Sequence, residues 1–176
     1  MGPVKQFEDL TQNGLELPDG HVQALKILLE HIPPEEFNWV LTGSASLRLQ
    51  GVDVPVHDLD IECNSLDIRK IEQALSAYVT TPVHLWESGR IRSLDGKALI
   101  TGIEIEMIAE LEVLKADNTW NRLIEFDQKI WLTWQDFQVP LLPLAAEAVA
   151  YKEMGRNERA QLILDTIQRL KNVEHD

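Results

Sequence analysis

Trp39-Val-Leu-Thr-Gly-Ser-Ala-Ser-Leu-Arg-Leu-Gln-Gly51, followed shortly by Val56-His-Asp-Leu-Asp-Ile61, is the stretch that decides how this chain is read. Phe37 to Leu41 is short, apolar and aromatic, the pattern of a buried strand. Thr42-Gly43-Ser44 breaks it sharply, and Ala45 to Gln50 reads as a short helix closed by Gly51. A glycine at such a bend lets the backbone approach a ligand closely. The amides that follow it, at a helix N-terminus, favour a phosphate, and Ser44 adds a hydroxyl donor.

Asp58 to Glu62 reads as the next strand. Side chains alternate across a strand, so Asp58 and Asp60 share one face while Leu59 and Ile61 point into the core. Two adjacent carboxylates repel one another, a cost that a divalent cation between them removes. Magnesium accepts carboxylate oxygens together with substrate phosphates. A third acid would complete a two-metal site, and Gly102-Ile-Glu-Ile-Glu-Met-Ile108 offers Glu104 and Glu106 on one face of a later strand. Either can bridge a metal or take the proton of an attacking hydroxyl, and spacing does not choose between them.

Outward from this segment, the apolar positions Val22, Leu25, Ile27, Leu28 and Leu29 predict a helix that Pro33-Pro34 stops, after a polar extension over residues 1–19. A helix from Ser65 or Asp67 to Tyr78 carries the stripe Leu66, Ile68, Ile71, Leu75 and Tyr78. Val83 to Trp86 reads as a strand, as do Ile103 to Ile108 and Ile130 to Trp134. Asp95-Gly96, between Ile91–Leu94 and Lys97–Ile100, predicts a hairpin turn. Leu144 to Met154 is Ala-rich and helical, Gly155 stands where a helix-ending glycine belongs, and Asn157 to Lys171 carries Ala160, Ile163, Leu164, Ile167 and Leu170 on one side.

Taken together, these segments resemble the nucleotidyltransferase superfamily, and within it the small aminoglycoside- and lincosamide-type enzymes and their relatives. The likeness covers Phe37 to about Ala109 and, more loosely, the helical hairpin at Tyr151 to Thr166. It implies an α+β fold, a mixed β-sheet flanked by helices with a C-terminal helical hairpin. It also implies a nucleoside triphosphate, with ATP the expected one, bound with Mg²⁺ or Mn²⁺. Gly43 and Ser44 would hold the triphosphate, Asp58 and Asp60 the metals, and Glu106 the third carboxylate position, which in that family is more usually Asp.

Other polar residues carry two readings each. Arg48, one turn into the short helix, reaches either phosphate or solvent. Lys152 and Arg156, at the end of the Ala-rich helix, either close over a nucleotide or complement the helix C-terminus. Arg90 and Arg92 read as a surface strand face before a phosphate site, and Glu147 is an alternative base. Trp120, Trp131 and Trp134 read as core or interface before a stacking platform.

The expected division is a nucleotidyltransferase-like unit over residues 1–140 and a helical hairpin over 141–176 packed on it. The net charge of −13 argues against general nucleic-acid binding and for cationic partners. No apolar run spans a bilayer, and one cysteine, Cys63, fits a reducing cytoplasm. The expected activity is Mg-dependent transfer of a nucleoside monophosphate from an NTP to a hydroxyl of a small molecule or protein. The alternative is a catalytically degenerate module that keeps the fold for binding. Self-association is left open.

Overall fold

The structure, a computed structural model, describes residues 7–8, 14–125 and 128–173. Most of the expected polar extension lies outside these. In chain order the elements are β1 (Phe7–Glu8), α1 (Asp19–His31), β2 (Trp39–Thr42), α2 (Gly43–Leu49), β3 (Leu59–Cys63), α3 (Ile68–Ala74), β4 (Val79–Ser88), β5 (Ile91–Ile100), β6 (Ile103–Leu114), β7 (Trp120–Arg122), β8 (Ile130–Trp134), β9 (Phe137–Leu141), α4 (Leu144–Glu153) and α5 (Asn157–Val173). The strands form one mixed sheet in the order β1-β8-β9-β2-β3-β6-β5-β4, with β7 beside β6. No helix among the described residues is long and apolar enough to cross a membrane.

The sheet is mixed at its centre. β2 runs antiparallel to β3, and β3 runs parallel to β6, with Asp60 opposite Glu106 in register. All four residues of β2 are buried, as its apolar composition requires. Leu59 and Ile61 lie in the main core together with Leu25 and Leu28 of α1, which leaves Asp58 and Asp60 on the opposite face. Trp39 keeps its indole satisfied inside that core by donating to the Ile32 carbonyl at 2.8 Å, where α1 ends.

The helical hairpin packs where α2 meets the following loop. Ala148 of α4 and Ile163 of α5 form a cluster with Leu47, Val52 and Val54. Gly155 takes φ +78 and ends α4 as expected, its amide donating to the Lys152 carbonyl and that of Arg156 to Tyr151. On α5 the buried residues are Ala160, Ile163 and Thr166, while Leu164, expected on the inner side, is exposed. Leu66, expected in the α3 stripe, lies before the helix and is also exposed. Asn64 rather than Ser65 or Asp67 accepts from the backbone amides there.

Asp95-Gly96 is not a turn. β5 runs straight through it, and the chain reverses instead at Gly89, with φ +60, and at Thr101-Gly102, with φ +50 and +83. A glycine is needed at 96 for closeness rather than for turning, since a Cβ there would lie 2.6 Å from Cγ2 of Val83 on β4. As a strand residue, Asp95 shares a face with Ser93 and Lys97 and is buried.

Candidate active site

Asp58, just before β3, and Asp60 on it meet Glu106 of β6. One ligand atom from each lies within 4.8 Å of the others. Parallel pairing of β3 with β6 does this, because it sets Asp60 directly beside Glu106. Glu104 is committed elsewhere, its Oε1 accepting from Lys97 Nζ at 2.7 Å. Geometry therefore separates two acids that sequence spacing left equivalent.

Gly43 explains how the cluster meets the bend. It has φ +68, and a Cβ on it would lie 2.2 Å from Oδ2 of Asp60. Only a glycine accepts both that backbone conformation and a carboxylate resting on its Cα. Its amide is already engaged, donating to Oε1 of Glu147 at 3.1 Å. The sequence expects a glycine here so that the backbone can approach a ligand closely, and in the structure the bare Cα also leaves room for the Asp60 carboxylate.

The electrostatics are those of an uncompensated acidic site. Burial first, then the charges of Asp58 and Glu106, hold the Asp60 carboxyl well above its usual range, with Arg156 opposing. Burial, then a side-chain hydrogen bond shared with Asp95, raises Glu106, with Asp60 and Lys97 opposing. Burial also raises Glu62 to about 8 and lifts Glu147 well above the carboxylate range. The Oδ1 atom of Asp60 is buried without a hydrogen-bond partner. A hard cation satisfies that orphaned oxygen and the mutual repulsion together, so this donor set fits the divalent metal that the fold implies.

Two cavities meet at the triad. One, of about 450 Å³, lies between the sheet and α4 and is bordered by Glu62, Asp95, Glu106, Glu147, Trp86 and Tyr151. The other, of about 1150 Å³, opens toward the α4–α5 turn past Ser44, His57, Asp58, Arg156, Asn157 and Arg159. Asp60, Glu106, Tyr151 and Arg156 border both. Of the four residues expected at the nucleotide, Gly43 and Ser44 border these cavities, whereas Arg48 and Lys152 do not. Arg48 is tied to the Glu16 carbonyl at 2.6 Å and to Asp53 at 3.0 Å, and Lys152 points outward from α4. Arg156 and Arg159 supply the cationic groups instead.

Asp95, Glu62, Tyr151 and Arg159 border the cavities without being singled out by the sequence, and for Asp95 the reason is that Asp-Gly reads locally as a turn. The alternation Ser93, Asp95, Lys97 was the signal for it. Arg92 pairs with Glu112 at 2.6 Å and lies over Trp120, and Arg90 caps the Leu114 carbonyl, so both serve the strand surface.

Comparison with known proteins agrees with this geometry. The model of the family described as aminoglycoside-2''-adenylyltransferase matches residues 24–168. A solved structure from Thermotoga maritima, of a candidate nucleotidyltransferase, superposes with a TM-score of 0.76 at 29% identity, covering 88% of this chain and 97% of that one. A search of curated proteins gives no match.

Proposed function

The chain belongs to the aminoglycoside-2''-adenylyltransferase family and is a nucleotidyltransferase, and from that premise we propose that it moves a nucleoside monophosphate from an NTP, ATP foremost, to a hydroxyl of a small amine-bearing acceptor. The convergence of Asp58, Asp60 and Glu106 beside Gly43 carries this reading. We read residues 1–140 as the unit that holds the triad and 141–176 as the hairpin that walls the nucleotide side.

Asp58 and Asp60 would hold Mg²⁺ or Mn²⁺, with Glu106 completing the set. A bound divalent cation supplies charge neutralisation at the phosphates and lets the three acids stand together ionised. The wide cavity suits the triphosphate, with the Ser44 hydroxyl and the Arg156 and Arg159 guanidiniums as donors. The narrower cavity suits the acceptor, because the carboxyl oxygens of Glu62, Asp95, Glu106 and Glu147 border it and can accept hydrogen bonds from amino and hydroxyl groups.

In the transfer, the acceptor oxygen bonds to the α-phosphorus, the bridge to the β-phosphate breaks, and pyrophosphate leaves. The hydroxyl proton would pass to Glu106 where that carboxylate serves as the base rather than as the third metal ligand. Rate comes from alignment of the two substrates across the triad rather than from a covalent enzyme intermediate. A single cysteine suits a reducing compartment, the cytoplasm in this reading.

Incubation with ATP, Mg²⁺ and a panel of aminoglycosides and other hydroxylated amines tests the proposal. Pyrophosphate release with an acceptor that gains an AMP group by mass supports it. An enzyme that binds MgATP yet releases no pyrophosphate with any acceptor points to the degenerate binding module instead.

A further inference from the structure

Glu147 is an expensive residue for its place. It stands in the first turn of α4, 3% exposed, on a helix whose other buried residues are Ala148 and Ala150. A carboxyl group withdrawn from water needs partners to compensate for its lost hydration, and an apolar residue would fill the position without that cost. Its hydrogen-bond partner is the Gly43 amide, 104 residues away in the chain. Gly43 in turn is the surface on which the Asp60 carboxylate rests, close enough that a single added carbon would collide with Oδ2.

One hydrogen bond therefore joins the helical hairpin to the residue that sets where Asp60 lies. Glu147 is outside the acidic triad. Its Oε1 accepts from a backbone amide, which does not suit the alternative role of a base.

We infer that Glu147 is a positioning residue: by accepting from the Gly43 amide it holds the bend, and with it the Asp60 carboxylate, in the arrangement that receives cation and triphosphate. The inference rests on the nucleotidyl-transfer site proposed above. What the position requires is an acceptor oxygen at the right reach, not a negative charge. Burial first, with the Gly43 amide opposing and the nearby Glu62 and Asp60 carboxyls adding to it, disfavours charge there. Glutamine keeps the acceptor, whereas methionine fills similar space without a comparable one.

The test compares wild type, Glu147→Gln and Glu147→Met by Mn²⁺ binding followed by electron paramagnetic resonance, and by calorimetry with Mg²⁺ and the α,β-methylene analogue of ATP. Circular dichroism checks each fold. Glu147→Gln should stay within about threefold of wild type in both affinities, and Glu147→Met should lose about tenfold or more, the scale of one buried donor left unpaired. If Glu147→Met does not fold, Glu147→Ala removes the same acceptor from a smaller side chain. Wild-type affinity without the acceptor overturns the inference. So does an equal loss in Glu147→Gln, which would assign a direct role to charge. Asp60→Asn, run alongside, separates the two levels. Loss of binding there with none in Glu147→Met refutes only the positioning role, while unchanged binding in Asp60→Asn refutes the site itself.

Discussion

The Asp60 carboxylate lies against the bare Cα of Gly43, so closely that a methyl group on that carbon would sit 2.2 Å from Oδ2. Strand and bend are thereby one device. β3 delivers the acid, and the missing side chain at the start of α2 gives it room. Gly43→Ala should cost about 1–2 kcal/mol for the left-handed backbone alone, before the collision is counted. Thermal unfolding should fall by several degrees, since about 1 kcal/mol corresponds to roughly 2–4 °C in a domain of this size. Calorimetry should show Mg²⁺-dependent nucleotide binding weakened at least tenfold in the folded variant. A variant with wild-type melting and binding would show that the close approach has no importance.

Arg156 lies near the Tyr151 ring, 5.9 Å from its centroid, borders both cavities and lowers the pKa of Asp60. Charge-assisted bonds to phosphate are worth about 1.5–3 kcal/mol each. Arg156→Ala should weaken ATP binding tenfold or more, with a shallower dependence on salt than wild type. Lys152→Ala, on the outward side of the same helix, should change neither. Equal losses in the two variants would reassign the triphosphate.

The chain around Gly43 and Asp58 was readable because its signals are local. A buried strand, a glycine bend and alternating acids each obey a short-range rule, and their order carries the resemblance that implies the nucleotidyltransferase fold. Asp95-Gly96 failed by the same logic. Asp-Gly favours turns locally, but close contact with Val83 demanded a glycine inside a strand, and that requirement comes from a residue 13 positions earlier. Spacing left Glu104 and Glu106 equivalent, the resemblance favoured Glu106, and the β3–β6 register sets Glu106 beside Asp60. The Glu147 bond to Gly43 spans 104 positions and leaves no trace in spacing. Arg156 was in view beside Lys152, but only the helix-ending turn at Gly155 decides which cation faces the cavity.

Gly96→Ala provides a check on the corrected strand. Its Cβ would meet Val83 at 2.6 Å and Cε of Met107 at 3.1 Å, so overpacking should cost about 1–3 kcal/mol in chemical denaturation. Slow amide hydrogen exchange at Asp95 and Gly96 in the wild type should accompany it. Rapid exchange at both would restore the turn.

Cys63 is fully buried, donates its thiol to the Ile108 carbonyl at 3.6 Å and is raised by burial beyond the ordinary thiol range. A thiol reagent at neutral pH should leave it unmodified in the native protein and label it once in denaturant. Fast labelling of the folded protein would contradict the packing of β3 against β6.

Calorimetric titration of wild type and Asp60→Asn with the non-hydrolysable ATP analogue, each with and without Mg²⁺, reaches the centre of the account. Wild type should bind the analogue only with Mg²⁺. Asp60→Asn should stay folded and show no Mg²⁺-dependent binding. Equal affinity in the two proteins would mean that the acids beside the glycine bend do not hold the cation.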